Sequence, residues 1–254
     1  MDKLPLSVAI ISFNEEASIA RTIQSVLDIA SQIVVVDSRS TDATCLIAED
    51  LGAEVYVENW KGHIRQKNSA LDKCREEWVL ALDCDEVLTD ELRDSVAEAV
   101  QSGGYDGYEL NRRTFYAGRF LKHSWQPDRK LRLVKMSAKP CWGGYDPHDV
   151  LQMEGEKGFL KGDLLHYSYK DIADHFQRLV KYAKTAAESY QQNGKRFRII
   201  NLLVNPPAAF IKKYFFRLGF LDGFRGLLVA FSSLMYVFLK YVFLWEAERK
   251  SNDS

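Results

Sequence analysis

Asp83 and Asp85, flanking Cys84 and followed by Glu86, form the single Asp-x-Asp of this 254-residue chain. They follow an apolar run, Trp78-Val79-Leu80-Ala81-Leu82. Two carboxylates leaving a strand end can hold a hard divalent cation through one or two oxygens, with positions left for diphosphate oxygens and water. An ordinary acidic turn is the plainer alternative. Asp37 closes a second apolar run, where a carboxylate can accept from a base N–H or from ribose hydroxyls; Ser40 to Asp42 after it suit helix capping. Phe13, Asn14, Glu15 and Glu16 stand equivalently after the first run. Neither a Gly-x-Gly-x-x-Gly nor a Walker A pattern occurs, which weighs against dinucleotide and P-loop readings. Cys45, Cys74, Cys84 and Cys141 show no paired spacing, so a zinc cluster or disulfide framework is not expected.

These residues need elements to position them, and the first hundred positions alternate strand-like and helix-like patterns. Strands are expected at residues 6–12, 32–37, 54–58 and 78–82. Helices are expected at 17–30, from Ser40 or Thr41 to Leu51, at 63–74, and at 90–101 opened by Thr89. Such alternation with short loops implies an α/β fold, a mostly parallel sheet with flanking helices. Ligands of such sheets bind beyond the carboxyl ends of the strands, where the acidic residues fall. Further strands fit 107–112 and 130–135, and a long helix fits 170–192. Arg129 and Arg132 flank the second of these strands and are expected on a solvated face rather than at a phosphate. Trp125 suits sugar stacking or plain packing.

Four segments in order carry a resemblance: Ala9 to Glu16, Val36 to Asp42, Lys67-Asn68-Ser69-Ala70-Leu71, and Leu82 to Glu86. Together they resemble the motifs of family-2 glycosyltransferases, which have the GT-A (Rossmann-like) fold. The whole chain resembles the subgroup of lipopolysaccharide-core β-glucosyltransferases. The resemblance implies a nucleotide-sugar donor, UDP-glucose, bound through Phe13, Asn14, Glu15 or Glu16, Asp37, Lys67 and Asp83. It implies Mg2+ or Mn2+ at Asp85, with His166 as a further ligand. It makes Asp149 the catalytic base of an inverting transfer, with Asp146 as the other candidate and His148 orienting the base or the acceptor. Asp37-Ser38-Arg39-Ser40 departs from the family's Asp-Asp-Gly-Ser, and Lys67 stands where Arg is common. The Gln-x-x-Arg-Trp signature of processive synthases is absent, so one sugar per encounter is expected.

The formal net charge of −1 conceals a split. Residues 195–250 hold ten basic and three acidic side chains, a net +7 that leaves the rest at −8, and they hold 13 of the 31 aromatics. Pro206-Pro207 is expected to break the chain there, and residues 226–245 are nearly all apolar apart from Lys240. Twenty residues can just span a bilayer. The two serines, Lys240 and the spread aromatics favour helices lying in the interface over a span, and a buried helical hairpin is the plainer alternative. Two regions follow: a GT-A domain at 1–195 and a basic, aromatic, helical membrane-associating segment at 196–254. The expected partners are the donor, a glycolipid acceptor such as lipopolysaccharide inner core and an anionic membrane surface, with no nucleic acid. The expected place is the cytoplasmic face of a bacterial inner membrane. Transfer to polyprenyl phosphate and a non-catalytic nucleotide-sugar-binding scaffold are the alternatives.

Overall fold

The computed structural model describes residues 3–145 and 148–252, without the side chains of Tyr145, His148, Ser251 and Asn252. Its strands are β1 (Leu4–Ser12), β2 (Ala30–Asp37), β3 (Glu54–Val57), β4 (Trp78–Asp83), β5 (Glu86–Leu88) and β6 (Gly107–Tyr116). They continue with β7 (Arg119–Phe120), β8 (Arg129–Lys135), β9 (Cys141–Tyr145), β10 (His148–Gln152) and β11 (Lys157–His166). The α-helices are α1 (Ile19–Gln24), α2 (Thr44–Asp50), α3 (His63–Leu71), α4 (Asp90–Ser102), α5 (Ile172–Gln192), α6 (Ile199–Ile211) and α7 (Phe224–Asn252). The chain divides into one unit of Met1–Arg113 with Asp128–His166, and a second of Thr114–Pro127 with Tyr167–Ser254.

In the first unit the β-branched runs form the parallel strands β3-β2-β1-β4, and beyond β4 the sheet continues with β8, β6, β11 and β5. The pairs β4–β8, β8–β6 and β11–β5 are antiparallel. Register matters most at one end. Ser12 pairs with Asp37, and Ile11 with Asp83, so three strands finish level and deliver their carboxyl ends to one edge. Alternation along β1 sends Leu6, Val8 and Ile10 into one core with Ile23, Leu80 and Val96. Ala9 faces the opposite core with Val34, Val79 and Leu71. Helices therefore cover both faces of the parallel strands, as the apolar runs required.

Two helices differ from expectation for local reasons. The α2 helix starts at Thr44 because Ser40 and Thr41 are occupied elsewhere: Ser40 bonds Asp37, and the Thr41 N–H donates to Asn14. Asp42 accepts from the Thr44 N–H at 3.0 Å in their stead. The α1 helix spans six residues, and 25–29 return the chain to β2 in turns while still burying Val26 and Ile29. Thr89 does cap α4, accepting from the Leu92 N–H at 3.3 Å, with Asp90 and Glu91 in the first turn.

The second unit is helical, apart from β7 and the end of β6. Pro206 and Pro207 do not break the chain; they lie inside α6. Each proline removes an intrahelical bond, at about 3 kcal/mol or more. Packing of α6 on α7 offsets that loss: Pro206 is buried, and the Asn205 amide donates to the Tyr241 hydroxyl at 2.7 Å. After α6, Lys212–Phe216 form a π turn, and a 3-10 turn at Gly219–Asp222 leads to α7. A Cβ on Gly226 would stand 1.7 Å from the Gly219 carbonyl oxygen, so only glycine permits this crossing. The α7 helix packs on α5 and α6 through Tyr241 and Leu244, buries Val229 against Tyr116 and Leu121, and leaves Phe231, Phe238 and Trp245 exposed. Residues 224–250 are long and apolar enough to cross a membrane, by length and composition.

Candidate active site

The carboxyl end of β4 delivers Asp83, which two cations hold. Lys67 Nζ of α3 lies 2.8 Å from Asp83 Oδ1, and an Arg132 Nη of β8 lies 2.9 Å from Asp83 Oδ2. Burial by itself raises a carboxyl pKa, but Lys67, Arg132 and Arg112 outweigh it and hold Asp83 well below the usual carboxylate range. Arg132 is buried rather than solvated, which corrects the expectation for β8. The same Nη lies 3.0 Å from fully buried Glu86, and Glu86 also receives Arg112 and the Asp83 N–H. Its neighbouring carboxylates keep the Arg132 guanidinium charged against burial. Cys84 donates to the Ile11 carbonyl at 3.0 Å and the Thr22 hydroxyl donates to the Cys84 carbonyl, which pins the Asp-x-Asp turn to β1 and α1.

Lys67 also reaches Asp149, at 2.7 Å from its Oδ2, and its ammonium stands 4.3 Å from the centre of the Trp142 ring. Asp149 arrives there because β9 and β10 form a separate antiparallel hairpin, in which it pairs with Gly144. Asn68 clamps that hairpin to α3: its amide donates to the Trp142 carbonyl and its oxygen accepts from the Trp142 N–H. One lysine thus bridges Asp83 and Asp149, residues 66 positions apart. Asp146 lies outside the described residues, as does the side chain of His148.

Asp85 follows on the turn, and His166 Nε2 approaches its Oδ2 at 3.3 Å. Register places this histidine, since His166 pairs with Glu86 across β5 and β11. Among the described residues no group of three or more His, Cys, Asp or Glu forms a metal cluster. The pair nevertheless fits a divalent cation. A carboxylate oxygen and an imidazole nitrogen converge, the His166 Nδ1 is buried without a hydrogen-bond partner among the described residues, and a donor's phosphates and water can complete the coordination.

The expected nucleoside residues build the neighbouring loops. Asp37 is fully buried and accepts from the Ser12 hydroxyl at 2.7 Å and from the Ser40 N–H at 2.7 Å. Asn14 adopts a left-handed φ of 53° and accepts from the Thr41 N–H. Glu16 accepts from the Ala43 N–H at 3.0 Å, and Glu15 accepts from the Ser18 hydroxyl. The Ser12–Asp37, Asn14–Thr41 and Glu16–Ala43 bonds lace the loop after β1 to the loop after β2. Phe13 stays 57% exposed, leaving its ring available for stacking. Sequence reasoning missed Gln66 and Ser38, whose buried polar side-chain atoms have no hydrogen-bond partner among the described residues. Both adjoin motif residues, Lys67 and Asp37, which was the available signal. No comparable signal marked Arg132, Glu86 or Trp142 as parts of one network.

Residues 7–149 match the model of glycosyl transferase family 2. The chain belongs to glycosyl transferase family 2. This stretch runs from within β1 through most of the β9–β10 hairpin and ends on Asp149. The family-2 chain is 32% identical to an uncharacterized glycosyltransferase of Rickettsia typhi, over 98% of this chain and 89% of the relative. It is also 32% identical to the lipopolysaccharide core biosynthesis glycosyltransferase LpsC of Rhizobium meliloti, over 93% and 90%. A solved structure of S. aureus TarS residues 1–349 with UDP superimposes with a TM-score of 0.49 at 13% identity, covering 96% of this chain and 91% of that one. The protein is a glycosyltransferase of the GT-A fold, and the acidic turn and lysine bridge belong to its matched region.

Proposed function

We propose that this glycosyltransferase moves one glucose from UDP-glucose to a membrane glycolipid such as lipopolysaccharide inner core, with inversion at the anomeric carbon. The observation that carries the reading is the array Asp83–Lys67–Asp149, beside Asp85 and His166, at the carboxyl end of β4. The similarity to LpsC supports the acceptor class.

In this reading Phe13 stacks on the base, and Asp37 holds the loops that enclose the nucleoside. Asp83 faces the ribose, and Asp85 with His166 would hold Mg2+ or Mn2+. Bound there, the cation would neutralise charge gathering on the leaving diphosphate. The imidazole in the donor set favours Mn2+ over Mg2+. Lys67 is shared between the two sides of the site. A diphosphate that draws its ammonium away from Asp149 frees that carboxylate to accept the proton of the acceptor hydroxyl. Stabilisation that grows with leaving-group charge acts on the transition state, which is where it accelerates transfer.

A panel of nucleotide sugars screened for thermal stabilisation tests the donor, because a ligand that binds only the folded chain raises its melting temperature by mass action. UDP-glucose with Mn2+ is expected to give the largest shift. An equal shift from nucleotide sugars of other bases would overturn the assignment.

A further inference from the structure

The helical unit contains a cavity of about 420 Å3 lined by Lys212, Lys213, Arg217, Tyr236, His175 and Trp125 among others. Its size suits a small headgroup rather than a bare ion. The cations come from one local device. Arg217 closes the π turn by donating its N–H to the Lys212 carbonyl, five residues back, at 2.9 Å. The turn brings Lys212, Lys213 and Arg217 within six residues of chain, and all three line the cavity. No ion pair joins any of the three to a carboxylate among the described residues. Asp222, the acid of the adjacent turn, is taken by the N–H groups of Lys122, His123 and Ser124. Half-burial, with Arg217 and Lys212 close by, pushes Lys213 below the usual ammonium range. Lys212 and Arg217 are exposed and Lys213 is half-buried, so the three present a concentrated positive charge to whatever enters the cavity, and a bound anion would relieve the repulsion on Lys213. The same turns carry an apolar fringe: Phe215, Phe216, Leu221 and Phe224 are exposed, Phe216 to 80%.

We propose that this cavity binds the phosphate headgroup of a membrane lipid, with Lys212, Lys213 and Arg217 on the phosphate and the Phe215–Phe216 fringe in the acyl region. A free anion would use the cations but has no use for exposed phenylalanines, and a purely apolar contact would not gather three unpaired cations. The inference rests on the membrane placement of the proposed function and not on its chemistry.

The test is vesicle flotation of the full chain without nucleotide sugar. Vesicles are phosphatidylcholine alone, or with phosphatidic acid, phosphatidylglycerol or a phosphorylated glycolipid. The variant Lys213→Gln with Arg217→Gln is compared with Arg196→Gln with Arg198→Gln, which removes equal charge outside the cavity. The cavity pair is expected to weaken binding to the phosphate-bearing vesicles by about tenfold more than the matched pair, the scale of lost charge-assisted hydrogen bonds. Lys213→Arg is expected to retain binding, which separates loss of the site from misfolding. The strongest binding vesicle identifies the source, bulk phospholipid or phosphorylated glycolipid. Equal losses from the two pairs would overturn the cavity assignment, and so would displacement of the chain from vesicles by inorganic phosphate at concentrations matching the lipid phosphate. Failure to float with any vesicle would overturn the membrane reading as well. Loss of sugar transfer by Asp149→Asn with flotation intact would leave this inference standing.

Discussion

At the scale of single residues, the ion-paired array separates roles that one acidic motif cannot. Asp149 shares Lys67 with Asp83, yet only Asp149 stands on the hairpin rather than on the sheet. Asp149→Asn keeps the shape and removes the carboxylate proposed as proton acceptor, so turnover is expected to fall by about 10²–10⁴. Donor affinity, measured by calorimetry, is expected to stay within a few-fold. Unchanged turnover would favour transfer to an already ionised acceptor such as polyprenyl phosphate, which needs no base. Asp85→Ala leaves His166 without its carboxylate partner. Manganese binding followed by electron paramagnetic resonance should be lost, and with it the response of turnover to divalent cations. Near wild-type turnover in excess Mn2+ would remove Asp85 from the metal role.

Helix α3 is the element on which the site turns, since it carries Gln66, Lys67 and Asn68 in succession. Glu58, just after β3, ties that helix down by accepting from Lys61, Ser69 and Lys73. Hydrogen bonds from Lys61 and Lys73 lower the Glu58 carboxyl to about 2. Its folded value lies below its unfolded one, so its contribution is fully present above the ordinary glutamate range and is lost as pH falls toward 2. Glu58→Gln should therefore lower stability at neutral pH and flatten the loss of stability between about pH 4.5 and 2. Denaturant melts across that window check the sign. An acid limb as steep as that of the parent would place the coupling elsewhere.

For the whole molecule, the small net charge is the sum of an acidic region and a basic, aromatic one. Each Lys or Arg near an anionic surface contributes about 1 kcal/mol, and the effect is screened within a Debye length. Sedimentation with anionic vesicles is expected to fall steadily as salt rises from low to physiological strength. Binding that ignores salt would assign the contact to the apolar faces of α6 and α7 alone. The α7 helix packs on α5 and α6 through Tyr241 and Leu244, so part of this long apolar helix is already covered within the helical unit.

The strand runs at 32–37 and 78–82, the capped helix after Thr89 and the acidic residues closing β2 and β4 were legible because they rest on local periodicity and position. Apolar alternation and capping act over a few residues, so a linear reading can find them. The family motifs include Lys67, Asp83 and Asp85, and the wider resemblance proposes Asp149. What they could not convey was partnership. That Lys67 bridges Asp83 and Asp149, that Arg132 is buried on Glu86, and that His166 meets Asp85 all depend on strand register and on the hairpin docked by Asn68. Pro206 and Pro207 show the same division: local chemistry says break, and packing on α7 keeps the helix. Residue types and short spacings determined which chemistry this chain carries. Long-range packing, whose energies no local window contains, decided which of those groups meet.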